Sequence, residues 1–127
     1  MEPWLQDPGV GRPNGLCVLG RRLIVGCTAD GRLKAVDIET RAVRTIADLG
    51  PGTIDGVTGD GAGNLLVSHN EGRLYRVTPE GSVTRLLDTT AIEVQCADID
   101  FVPELNMLLV PTFGDDRVMA YRLDRGR

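Results

Sequence analysis

The sequence predicts an all-β chain of repeated, four-stranded antiparallel units of the β-propeller blade type. A short motif carries most of that prediction. It appears as Pro13-Asn14-Gly15-Leu16, as Ile54-Asp55-Gly56-Val57 and as Ala97-Asp98-Ile99-Asp100, each time opening a run of short apolar strands. The step from Asn14 to Asp55 is 55 − 14 = 41 residues and that from Asp55 to Asp98 is 98 − 55 = 43, within the roughly 40–45 residues of a four-stranded blade. No segment sustains helical periodicity over three turns, which removes the helical alternative.

Each element follows from local residue chemistry. Residues 1–12 read as an N-terminal segment and 13–127 as a partial propeller with units 13–50, 53–90 and 96–124. After each motif comes an apolar strand (23–25, 65–67, 108–110), then a turn, then a further strand (33–37, 74–78, 118–123) rich in β-branched and aromatic residues. Asp30-Gly31 and Glu71-Gly72 place glycine where a tight hairpin needs positive φ, and Asp116-Arg117-Val118 holds that place in the third unit. Residues 43–46 and 83–87 supply a fourth strand to the first two units, and the third has no equivalent. The stretch 89–95 carries the best helix signal, one turn at most, and its β-branched residues favour a loop before the third motif. Gly59-Asp60-Gly61-Ala62-Gly63 lacks the lysine and helix of a phosphate loop and reads as a hairpin turn.

Composition narrows the classes of function. Sixteen glycines and seven prolines in 127 residues suit many turns, and 42% hydrophobic with 25% charged residues suits one soluble domain. A net charge of −4 and the absence of a basic stripe with interleaved aromatics argue against a nucleic-acid partner. No apolar run approaches a membrane span and residues 1–10 do not resemble a leader, so the chain as written reads as soluble and cytoplasmic, with no membrane partner. Cys17, Cys27 and Cys96 lack metal-ligand spacing and read as buried free thiols, with a Cys17–Cys27 disulfide as the alternative. His69, next to Ser68, reads as a surface or interstrand histidine; adjacent strand residues face opposite sides, so the two are not a catalytic pair.

Pro13-Asn14-Gly15-Leu16, then Asp55-Gly56-Val57 and Gly63-Asn64-Leu65-Leu66-Val67, resemble the blade signatures of the senescence marker protein, gluconolactonase and luciferin-regenerating enzyme family, to which regucalcin belongs. The third unit, from Ala97 through Val110-Pro111-Thr112-Phe113 to Tyr121, is similar to the last blade of bacterial members. The resemblance implies a six-bladed propeller. It also implies a divalent cation at the channel mouth, held by a Glu, an Asn and an Asp. Calcium is the first expectation and magnesium, manganese or zinc the alternatives. The family Asn falls on Asn14 and the family Asp on Asp55; Asp98 is a candidate accessory ligand. No position matches the family Glu, and Glu2 is the only acid ahead of Trp4.

Such a site suits hard cations, which favour carboxylate, amide and water oxygens. The implied activity is lactone hydrolysis on a small-molecule lactone or sugar-acid substrate, with Asp55 as the catalytic carboxylate that orients or deprotonates water. The competing structural reading makes Asn14 and Asp55 turn formers that accept backbone N–H groups. Six blades of roughly 42 residues need about 250 residues. The chain therefore reads as a C-terminal portion of a propeller, a degenerate propeller, or a half-ring that closes as a homodimer. A non-catalytic interaction module of the NHL-repeat type is the alternative function.

Overall fold

The computed structural model describes residues 1–124. The chain forms three antiparallel sheets of four, four and three strands, with no α-helix among the described residues. The first sheet is the meander β1 (Pro13–Leu19), β2 (Arg22–Cys27), β3 (Arg32–Asp37) and β4 (Val43–Asp48). The second repeats it with β5 (Ile54–Gly59), β6 (Leu65–His69), β7 (Arg73–Val77) and β8 (Val83–Asp88). The third contains β9 (Asp100–Val102), β10 (Met107–Pro111) and β11 (Val118–Arg122). Residues 90–92 form a single 3-10 turn, so the helical signal over 89–95 resolves to one turn inside a connection.

Two apolar layers hold the sheets together. Ile24, Leu33 and Ala35 of the first sheet pack on Val57, Leu65, Val67 and Val77 of the second. The opposite face of the second sheet offers Leu66 and Leu74, which pack on Ile99, Leu108, Val110 and Leu123. Alternate residues of one strand therefore serve two different layers, which is why β6 reads as an unbroken apolar run. The first strands of the sheets are neighbours, with β5 lying beside both β1 and β9.

The N-terminal segment has a packing role that its sequence does not announce. Asp7 caps a 3-10 turn at Pro8–Val10 through its side chain. The turn sets Val10 and Leu5 against Val25, Cys27 and Val36 on the outer face of the first sheet. Cys27 lies in this outer layer whereas Cys17 faces the second sheet, so the two thiols lie on opposite faces and the Cys17–Cys27 disulfide does not form; all three cysteines are free. The glycine-rich stretch at 59–63 is a turn closed by Asp60, whose carboxylate accepts from the Ala62 and Asn64 amides at 2.8 and 3.1 Å. Among the described residues no helix is long and apolar enough to cross a membrane.

Candidate functional site

The first strands of the first two sheets break register at the same place. Pro13 pairs with Cys27 and Leu16 with Val25; Ile54 pairs with His69 and Val57 with Val67. Three residues of β1 or β5 thus span two of its partner, so each strand carries a bulge at Asn14-Gly15 or Asp55-Gly56. An extra residue of this kind turns its side chain out of the regular alternation. The polar residue that recurs in the sequence is the residue that the bulge redirects.

Glycine follows because the neighbouring strand comes close. A Cβ on Gly15 would lie under 3.0 Å from the Asp55 carbonyl oxygen and 3.2 Å from the Val57 nitrogen. A Cβ on Gly56 would lie 2.5 Å from the Ile99 nitrogen and 2.8 Å from Asp98 Oδ1. Across the first junction the Asn14 side-chain amide donates to the Ile54 carbonyl at 3.1 Å, which sets it against the peptide that leads into Asp55. Asp55 Oδ2 accepts from Asn70 Nδ2 at 3.1 Å, and Asn70 Oδ1 accepts from Gln95 Nε2 at 3.2 Å. The Asn70 backbone N–H donates to the Thr53 carbonyl at 2.8 Å, which fixes the base of that side chain. Asp55 is half-buried, with one oxygen held by this amide relay.

Asp98 occupies a different position. The Ile99 nitrogen meets Gly56 as the Val57 nitrogen meets Gly15, so Asp98 matches Gly56, and Ala97 matches Asp55. The 43-residue step that aligned Asp98 with Asp55 places it one residue too far along. Asp98 and Asp100 are both exposed and border an open cleft of about 420 Å³ together with Leu16, Val57 and Val118. Asn14 and Asp55 do not line that cleft. Glu2 is exposed in the N-terminal segment.

Asn70 and Gln95 are the polar residues that sequence reasoning missed. Asn70 falls where the first unit has Ala29, so repetition gives no signal for it. Ser68 is structural: its Oγ accepts from the Gly56 amide at 2.9 Å and donates to the Ala97 carbonyl at 2.6 Å, which ties the second sheet to the third. His69 is fully buried and meets the Tyr75 ring edge-on at 5.5 Å.

Among the described residues no three His, Cys, Asp or Glu side chains converge to hold a metal. The donors at the first junction are amide oxygens and one carboxylate, which fit a hard cation in kind and bring a single negative charge.

No protein-family model and no curated protein matches the sequence. Among solved structures, the fold is similar to the crystal structure of the computationally designed Ika4 protein, with a TM-score of 0.66 at 14% identity. The match covers 88% of this chain, which spans 66% of the designed protein, just under two thirds of its length. At that identity the likeness is one of fold alone.

Proposed function

We propose that the three sheets are blades of an incomplete six-bladed propeller, arranged about an axis lined by β1, β5 and β9, and that Asn14 and Asp55 hold a divalent cation where those strands begin. In this reading the chain is a portion of a regucalcin- or gluconolactonase-like lactone hydrolase, active once further blades or a second copy complete the ring. The observation that carries the proposal is the repeated bulge, which redirects one oxygen-bearing side chain at the same point of two successive sheets. Asn14 and Asp55 would hold the calcium or magnesium ion, which would supply Lewis-acid polarisation of a lactone carbonyl and a lowered water pKa. Asp55, with Oδ2 fixed by Asn70, has Oδ1 free to take the proton of an attacking water. Water adds to the carbonyl carbon, the ring C–O bond breaks and the proton passes to the departing alkoxide, giving a hydroxy acid. Asp98, against Gly56, serves as an accessory carboxylate near the cleft.

Calorimetric titration of the purified chain with calcium and with magnesium tests the site. Saturable binding that Asp55→Asn abolishes, with the circular dichroism spectrum unchanged, is the expected result. Equal binding by the variant overturns it. The single carboxylate at the junction favours a second reading, a non-catalytic module that binds partners through the same strand ends. A folded chain that binds no cation selects that reading.

A further inference from the structure

The first two sheets close with a fourth strand, and in both the geometry is the same. Arg32 at the start of β3 pairs in register with Asp48 at the end of β4, and Arg73 with Asp88 at the end of β8. The guanidinium Nε lies 3.5 Å from the Asp48 carboxylate in the first sheet and 3.4 Å from that of Asp88 in the second. At the other end Val36 faces Val43 and Val77 faces Val83. Each fourth strand thus offers a valine and, 48 − 43 = 5 or 88 − 83 = 5 residues later, an aspartate.

The third sheet carries the receiving half of this arrangement. Arg117 precedes β11 as Arg32 and Arg73 open β3 and β7, and Tyr121 falls four residues later, as Val36 does from Arg32 and Val77 from Arg73. Asp115 grips Arg117 from two residues upstream, the place of Asp30 beside Arg32. The place that Asp48 and Asp88 hold in the other sheets has no counterpart among the described residues of the third. Tyr121 lines a cleft of about 170 Å³ with Leu74, Leu86, Leu87 and Leu123. The Arg117 carbonyl accepts from the Thr112 N–H and the Leu123 N–H donates to the Asn106 carbonyl, on either side of β10 and in its register, so by antiparallel alternation the main-chain groups of Val118, Ala120 and Arg122 face the other way. An edge of this kind is a template for another strand.

We propose that the outer edge of β11 takes up an extended segment as a fourth strand, one with an apolar residue that enters the cleft beside Tyr121 and a carboxylate five residues later that meets Arg117. Charge complementarity and the pattern of the chain's own β4 and β8 define this occupant, and the inference does not depend on the cation site.

A fluorescent peptide that copies residues 82–89 (Ser-Val-Thr-Arg-Leu-Leu-Asp-Thr) is titrated with the protein and followed by anisotropy. Saturable one-to-one binding is expected, weakened about tenfold by Ala120→Pro in the protein, which removes an outward N–H at an edge that tolerates proline. Replacing the peptide's aspartate with asparagine weakens it by a factor of about three to ten. Amide exchange on the unmodified protein provides a second readout: the Ala120 N–H slows on peptide addition, while that of Met119, already turned toward β10, does not. A scrambled peptide that binds equally well, or an Ala120 amide that exchanges unchanged at saturation, overturns the proposal. Self-association of the protein that blocks the peptide and disappears in a folded Ala120→Pro variant overturns this occupant in favour of a second copy.

Discussion

Replacing His69 with leucine should remove a specific component of the chain's acid sensitivity. His69 is the only histidine, it is fully buried, and neither ring nitrogen has a hydrogen-bond partner among the described residues. Glu71 comes within 3.5 Å of Nδ1, too long and poorly aligned to satisfy it. Burial pushes the imidazole below its ordinary pKa; Glu71 pulls it up, and Arg73 opposes that pull. The folded chain thus binds fewer protons than the unfolded chain once the pH falls below about 6.5, the unfolded value. Stability is therefore undiminished above that pH and falls as the pH drops through it toward the folded pKa. One proton gives a slope of at most about 1.4 kcal/mol per pH unit. Asp37, Asp48, Asp88 and Asp115 are held below the usual carboxylate range by hydrogen bonds from backbone and side-chain donors, so they titrate further down. Leucine matches the imidazole roughly in volume and leaves no buried nitrogen unpaired, so His69→Leu should be as stable as the parent at pH 7.5, or about 1 kcal/mol more so. Urea denaturation at pH 7.5, 6.5 and 5.5 reads both effects. A variant with the parent's slope across that range would refute the assignment to His69.

Gly15→Ala should lower stability by about 1–3 kcal/mol in the same denaturation assay, because its Cβ meets the backbone of Asp55 and no flexible side chain can yield. The thiols make a separate check on packing: Cys17 is half-buried, Cys27 and Cys96 are buried, and burial raises the pKa of all three. At most one should react with a thiol reagent in the native protein, and all three in denaturant.

The strands were legible because their periodicity and turn chemistry are local. Residues 23–25, 65–67 and 108–110 lie inside β2, β6 and β10, and the Asp30-Gly31 turn joins β2 to β3. The third sheet has three strands among the described residues, as the reading of unit 96–124 without a fourth strand expects. Contacts between distant segments were not. Val10 and Leu5 cover the outer face of the first sheet from a stretch without strand or helix periodicity. Asn70 and Gln95 reach Asp55 from positions that no other unit repeats, so neither spacing nor composition marks them. The depth of His69 was likewise hidden, because it depends on the Tyr75 ring and on the Gly52 loop that comes up against the imidazole.

The misplacement of Asp98 shows where repeat arithmetic fails. Counting between motifs matches residues by type, whereas a residue's place is set by its position relative to the bulge and the ladder. The first two units both carry that bulge, so their 41-residue step keeps Asn14 and Asp55 in equivalent places. The third unit carries the same offset, because Asp100 pairs with Leu109 while the Ala97 N–H donates to the Pro111 carbonyl at 3.0 Å, one residue out of that register. Its approach to the second sheet is fixed by the Ser68 hydroxyl on the Ala97 carbonyl and by the fit of Asp98 against Gly56, and these anchors set the register one residue away from the sequence alignment. A carboxylate at the Asp55 position of the third unit would have to come from residue 97, which is alanine. The oxygen-bearing junction is thus a property of the first two sheets, and Asp98 borders the cleft instead.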